Sequence, residues 1–215
     1  MNLTREQRAS IIDISPMISE DLAVWPGDTS LRREVLCDLS KGDNIDLSTI
    51  HATVHLGAHA DAPRHYHRAG NTMEAVPLDA YIGPCAVVTV QGAPLILPEH
   101  CAEAVKSGVK RILFKTKSYP DPQEFNKDFT AFHASTLEML GQAGVILVGI
   151  DTPSVDPFDS KDLPAHQQLF EHKMANLEGL VLNHVDDGIY ELIALPLRLK
   201  GFDASPVRAI LRPLK

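Results

Sequence analysis

The chain has 215 residues, 44% of them hydrophobic and 22% charged, with a formal net charge of −8 at neutral pH. This is the balance of a soluble globular chain, and the negative charge, with no Lys/Arg cluster to override it, argues against nucleic acid as a partner. No apolar run is long enough to span a membrane, the N-terminal stretch MNLTREQRASIIDIS lacks the apolar core of a secretory signal, and three widely spaced cysteines without a C-x-x-C point to a reducing, cytoplasmic setting rather than a thiolate metal cage.

In chain order, SIIDIS (10–15) reads as a short strand. PMISEDLAVWPGD (16–28) is a loop that carries the only tryptophan, Trp25, ahead of Pro-Gly-Asp turn chemistry. IDLSTIHATVHL (45–56) alternates as a strand does, so a strand is expected up to about Leu56. CAVVTV (85–90) and RILFKT (111–116) are β-rich runs. Between them PEHCAEAVKSG (98–108) starts with Pro and stops with Gly, as a helix would. STLEMLGQAG (135–144) predicts a second helix, with Ser135 as N-cap and Glu138 at capping-box spacing. VILVGID (145–151) is a buried strand and LPAHQQLFEHKMANL (163–177) a third helix. EGLVLN (178–183), YELIALPL (190–197) and VRAILR (207–212) are strands. No repeat or linker divides the chain, so one domain over residues 1–215 is expected, an α/β fold with a mixed sheet.

The stretch HATVHLGAHADAPRHYH (51–67) holds five of the ten histidines. His51, His55, His59, Asp61, His65 and His67 all sit at odd positions, while Ala52, Val54, Leu56, Ala58, Ala60 and Ala62 fill the even ones. In extended chain this parity sends the imidazoles and the carboxylate to one face and the small apolar groups to the other. Gly57 and Pro63 argue against a helix and mark bends. Imidazole and carboxylate donors suit zinc, manganese or iron. His55, His59 and Asp61 put three donors in a short arc, and the two oxygens of Asp61 allow it to bridge two ions. His65 is either a further ligand or a general acid/base. A lone histidine is usually a surface or core residue, but six candidates in one register make a metal site the better reading. No G-x-S-x-G, H-E-x-x-H or Walker A motif offers another framework. His166 and His172, six apart on an expected helix, do not share a face.

HLGAHADAPRH (55–65) resembles the H-x-G-x-H-x-D-x-P-x-H signature of the metal-dependent cyclase-like hydrolases. DISPMIS (13–19), VWPGDT (24–29), AVPLDAYIGPC (75–85), GIDTPSVDP (149–157), LEGLVL (177–182) and YELIALPLRLKGFDASPVRAIL (190–211) extend the resemblance over nearly the whole chain, toward its bacterial kynurenine formamidase branch. The resemblance implies a swivelling β/β/α fold, a homo-oligomer, most often a dimer, and two divalent ions per subunit, usually zinc. One ion would take His55, His59 and Asp61; the other would share Asp61 and add His166 and Glu178. His65 matches the proton donor/acceptor and Trp25 the aromatic substrate contact. His51, His67 and His172 match no role. The implied reaction is hydrolysis of N-formyl-L-kynurenine to L-kynurenine and formate. The rivals are an isatin-hydrolase-like enzyme on the same scaffold and a non-catalytic metal-binding oligomer.

Overall fold

The computed structural model describes residues 11–214. Residues 1–10, most of the stretch read for a secretory signal and the first residue of the first expected strand, lie outside the described residues. The strands are β1 (Ile12–Asp13), β2 (Arg32–Cys37), β3 (Leu47–His51), β4 (His59–Asp61), β5 (Ile82–Thr89), β6 (Leu95–Ile96), β7 (Arg111–Lys115), β8 (Ala131–Phe132), β9 (Leu147–Ile150), β10 (Ala175–Glu178), β11 (Gly188–Ile193), β12 (Ala204–Pro206) and β13 (Ile210–Pro213). The α-helices are α1 (Ala102–Lys106), α2 (Ala134–Gln142) and α3 (Pro164–His172).

Among the described residues, nine strands form one mixed sheet in the order β1-β13-β11-β5-β7-β9-β10-β4-β12. β5, β7, β9 and β10 run parallel; β11, β13 and β1 add antiparallel on one side, β4 and β12 on the other. β7 and β9 are buried along their whole length, as central parallel strands covered on both faces must be. Alternation then divides the core. Ile112 and Phe114 of β7 pack with Leu137 and Leu140 of α2 and with Ala165 and Leu169 of α3. Leu113 faces the opposite cluster, with Ile14, Leu147, Leu177 and the alanines Ala58, Ala60 and Ala62. Of the even positions of the histidine stretch, Ala58, Ala60 and Ala62 therefore enter the core, while Ala52 and Val54 are only half-buried.

Several expected boundaries move. The strand expected up to Leu56 ends at His51, and a separate three-residue strand begins at His59. Between them Gly57 turns the chain with φ +60°, and a Cβ there would sit 3.0 Å from Pro16 Cγ. The strand expected from Glu178 instead ends there, because Gly179 adopts φ +65° with its Cα so close to the Gly57 carbonyl that a Cβ would lie 2.3 Å from it. VRAILR becomes strand only from Ile210. The first expected helix splits into a 3₁₀ turn, Pro98–Cys101, and the short α1. α2 is capped by His133, not Ser135: its Nδ1 accepts from the Ser135 amide, and Glu138 pairs with Gln142 instead of closing a capping box. α3 stops at His172, and the rest of its expected span passes through left-handed Lys173 into β10.

β2 and β3 form a two-stranded arm outside the main sheet, in antiparallel register from Arg32↔His51, with an irregularity between Val35 and Cys37. Its strands contain no fully buried residue.

Candidate metal centre

The site is built on two neighbouring strands. β4 and β10 are antiparallel with Glu178 opposite His59 and Leu177 opposite Ala60, a register that carries Asn176 to the position facing Asp61. Period-two alternation puts His59 and Asp61 of β4 on the same face as Asn176 and Glu178 of β10. Glu178 closes the C-terminal end of a parallel strand, where open α/β sheets place their ligands. α3 supplies His166 from its first turns, and the loop ahead of β12 supplies Asp203.

The distances are short. Asp61 Oδ1 lies 3.1 Å from His55 Nδ1 and 3.5 Å from His59 Nε2, and Asp61 Oδ2 lies 3.6 Å from His166 Nε2. Glu178 reaches the same two rings, Oε2 at 3.4 Å from His59 Nε2 and Oε1 at 3.5 Å from His166 Nε2. Two triads bring their donor atoms within 4.8 Å of one another, His55–Asp61–His65 and His59–Asp61–Glu178, and Asp61 belongs to both. The cluster thus groups His59 with Glu178, whereas the resemblance pairs His59 with His55 on one ion. His65 comes as close to Asp61 as a ligand would.

The second nitrogen of two rings is committed. His59 Nδ1 donates to the Gly57 carbonyl at 2.9 Å, and His166 Nδ1 donates to Asp156 Oδ2 at 2.7 Å. Both partners only accept, so in the neutral ring each Nε2 would present a lone pair to the cluster. Asp156 is itself fixed by accepting from the Ala165 and His166 amides at the start of α3, at 2.9 and 3.0 Å. His59 Nε2, His166 Nε2 and Asp61 Oδ1 are buried without a hydrogen-bond partner among the described residues. Lone pairs of rings and carboxylates facing each other at these distances call for positive charge between them. His55, His59, Asp61, His166 and Glu178 therefore fit a divalent ion.

The titration behaviour carries the same demand. At His55 burial opposes the charged ring, but the hydrogen bond and charge of Asp61, with Asp203 behind, outweigh it and raise the ring to about 9. Burial opposes the charge on Asp61 too, yet His166 and His55 hold it well below the usual carboxylate range. His166 is raised well above an ordinary imidazole against its burial by Asp156, Asp61 and Glu178. Burial and Asp61 push Glu178 up, and His166 and His59 bring it to a net lowering.

The cluster opens onto a cavity of about 480 Å³, lined by His55, His59, His65, His166 and Glu178 at one end and by Trp25, Tyr119 and Phe125 elsewhere. Trp25 stacks on Phe158 at 4.9 Å between ring centroids and meets Phe125 edge-on at 5.5 Å, so it is both packed and exposed to the cavity. Among the described residues, no lysine or arginine lines the space.

The Cyclase family model matches residues 12–157. The chain belongs to the Cyclase family. It is 47% identical to the kynurenine formamidase of Bordetella pertussis over 94% of this chain and 97% of the relative. A solved structure described as a potential metal-dependent hydrolase with cyclase activity is similar at TM-score 0.81 and 27% identity, covering 95% of this chain and 98% of the other. An isatin hydrolase bound to the product analogue thioisatinate shares the fold at TM-score 0.81 and 18% identity, covering 95% and 92%. The chain is thus a member of a hydrolase family with metal-dependent relatives, and its His/Asp/Glu cluster points to a divalent ion here as well.

Within this Cyclase-family chain, His51 pairs with Glu34 on the exposed arm, His67 stacks on Phe170 at 3.6 Å, and His172 packs over Gly141 between α2 and α3. None of the three reaches the site. Three residues that do reach it carried no role in the sequence reading. Asp156 holds His166; Asp203 accepts from His55 Nε2 at 3.0 Å and lies 3.5 Å from His65 Nδ1; Asn176 bonds Asp61. Asp156 and Asp203 sit inside segments that mark the resemblance, and Asn176 follows from parity, two residues before Glu178 on one strand face.

Proposed function

We propose that the protein is an arylformamidase that hydrolyses N-formyl-L-kynurenine to L-kynurenine and formate. One observation carries this reading: Trp25 and His65 line the same cavity as His55, His59, His166 and Glu178, on a chain 47% identical to a kynurenine formamidase. The cavity's volume, about 480 Å³, is in the range of small-molecule sites.

His55, His59, Asp61, His166 and Glu178 would hold two divalent ions, zinc by donor type, and the two oxygens of Asp61 would let it serve both. Such ions, when bound, would make a nucleophile available at neutral pH by lowering the pKa of coordinated water to roughly 7, and would polarise the scissile carbonyl. Trp25 offers a flat face to the aryl ring and turns the formyl group toward the histidine end of the cavity. His65, more exposed than the buried rings and backed by Asp203 at 3.5 Å, supplies a proton to the anilide nitrogen, a poor leaving group unless protonated. Asp203 on Nδ1 leaves Nε2 of His65 for that transfer.

We further propose a homodimer joined through the β2–β3 arm. A two-stranded hairpin is marginal by itself, and this one exposes Val35, Leu36, Leu39, Ile45, Leu47 and Ile50, the last at 73%. Arg32 and Arg33 stand at its base and Asp38, Asp43 and Asp46 toward its tip, so two arms laid antiparallel about a two-fold axis match opposite charges end to end. Three unpaired cysteines support a cytoplasmic location; among the described residues no helix is long and apolar enough to cross a membrane.

The test is kynurenine formation followed by absorbance, using purified, metal-reconstituted protein with isatin run in parallel. Turnover of the formamide with the higher kcat/KM supports the assignment. A clear preference for isatin would overturn it and leave only the family.

A further inference from the structure

We infer that Asn176 is a positioning residue for the metal centre, one amide that holds both bridging-side carboxylates in the ligating state. The inference rests on the reading of the cluster as a metal site. Asn176 is completely buried. Its Nδ2 donates to Asp61 Oδ2 at 2.6 Å and to Glu178 Oε1 at 3.2 Å. A side-chain amide has two N–H bonds, and here one is spent on each acid. The other main partner of Glu178 Oε1 is the Val155 amide at 2.9 Å. Oε2 is thereby left toward His59, and Asp61 Oδ1 toward His55 and His59.

The cost of this arrangement is visible. Asn176 Oδ1 is buried with no hydrogen-bond partner among the described residues. Turning the amide over would put that oxygen against two carboxylates, so the orientation with both hydrogens on the acids is the one the neighbours impose. A neutral amide does what a cationic donor could not do here, because it satisfies both anions without adding charge that competes with the ion. The placement comes from the strand register. Asn176 faces Asp61 across the β4/β10 pair and precedes Glu178 by two residues on the same face.

The test uses full-length protein stripped of metal and then titrated with Zn²⁺ against a chromophoric chelator, and with Co²⁺ followed by its visible d–d spectrum. Wild type is compared with N176A and with N176L, which has a similar volume and no donor. Residues that orient metal ligands change affinity by about 10–100-fold. We expect both variants, folded by circular dichroism, to bind Zn²⁺ about 10–100-fold more weakly and to show an altered Co²⁺ spectrum. If N176L restores wild-type affinity and spectrum, Asn176 fills space and the inference is overturned. If either folded variant binds both ions as wild type does, it is also overturned while the metal site stands. Absence of tight binding in wild type itself would remove the metal reading and the inference with it.

Discussion

The β4/β10 corner and the β2–β3 arm break the usual sorting of residues in opposite directions. At the corner, His59, Asp61, His166, Asn176 and Glu178 are all buried, and four of their polar atoms have no hydrogen-bond partner among the described residues. On the arm, six large apolar side chains stand in solvent. Burying unpaired polar groups is costly, and exposing contiguous apolar surface on a marginal hairpin is equally uneconomical. Each region therefore identifies what completes it. The corner has shape and negative charge suited to a divalent cation, and the arm has an apolar surface with opposite charges at its two ends suited to the proposed second copy of itself.

The comparison breaks most sharply at the cation. Removal of metal by a chelator should abolish turnover and lower the melting temperature. At metal concentrations about 1,000-fold above Kd the bound ion stabilises by about 4 kcal/mol, which for a domain of this size corresponds to a shift of roughly 10 °C. Differential scanning fluorimetry with and without chelator checks this, and an unchanged melting curve would mean that the buried cluster is complete without an ion.

His65 stands at the edge of the corner and sharpens the distinction between ligand and acid/base. His65→Ala should cut kcat by about 10²–10⁴-fold with bound metal nearly unchanged, measured by steady-state kinetics beside metal analysis. Loss of metal in this variant would move His65 into the ligand set with His55 and Asp61.

On the arm, Ile50→Asp places a charge in the proposed apolar contact. Truncation of a central interface residue costs about 2 kcal/mol or more, so the dimer dissociation constant should rise about 30-fold, read by sedimentation velocity. The folded monomer should keep its metal. An unchanged association state would remove the arm from the interface.

The smallest effect is expected at Trp25. Trp25→Ala should raise KM, with a loss of about 1 kcal/mol of aryl contact, or roughly five-fold. The indole also packs on Phe158 and Phe125, so stability should fall as well. Wild-type KM with lowered stability would assign Trp25 to packing alone.

The two regions also differ in how far the sequence revealed them. Parity alone sorted Ala58, Ala60 and Ala62 into the core and His55, His59 and Asp61 toward the site, because alternation is a local property of extended chain. The α/β class with a mixed sheet was legible from the order of β-rich runs and helical stretches. The ends of elements were not. Whether the chain turns at Gly57 and Gly179 depends on the approach of these two glycines to each other across the fold, which no local pattern contains. The cap of α2 by His133 hinges on one ring reaching one amide. Asn176 and Asp203 were missed because an asparagine and an aspartate acquire a role only from the partner strand or loop that faces them. Of the arm, only β3 was legible, as ordinary alternating strand; β2 carries no alternating apolar face to mark it, and the exposure of both faces of the arm is a tertiary fact.

The proposed centre is a buried corner built around two ions with Asp61 between them. Metal analysis of saturated protein, combined with anomalous diffraction from metal-loaded crystals, tests it most directly. The account predicts two ions per chain, one on each side of the Asp61 carboxylate, with His166 and Glu178 among the ligands. One ion per chain at saturating metal, with His166 and Glu178 both turned away from it, would contradict the account.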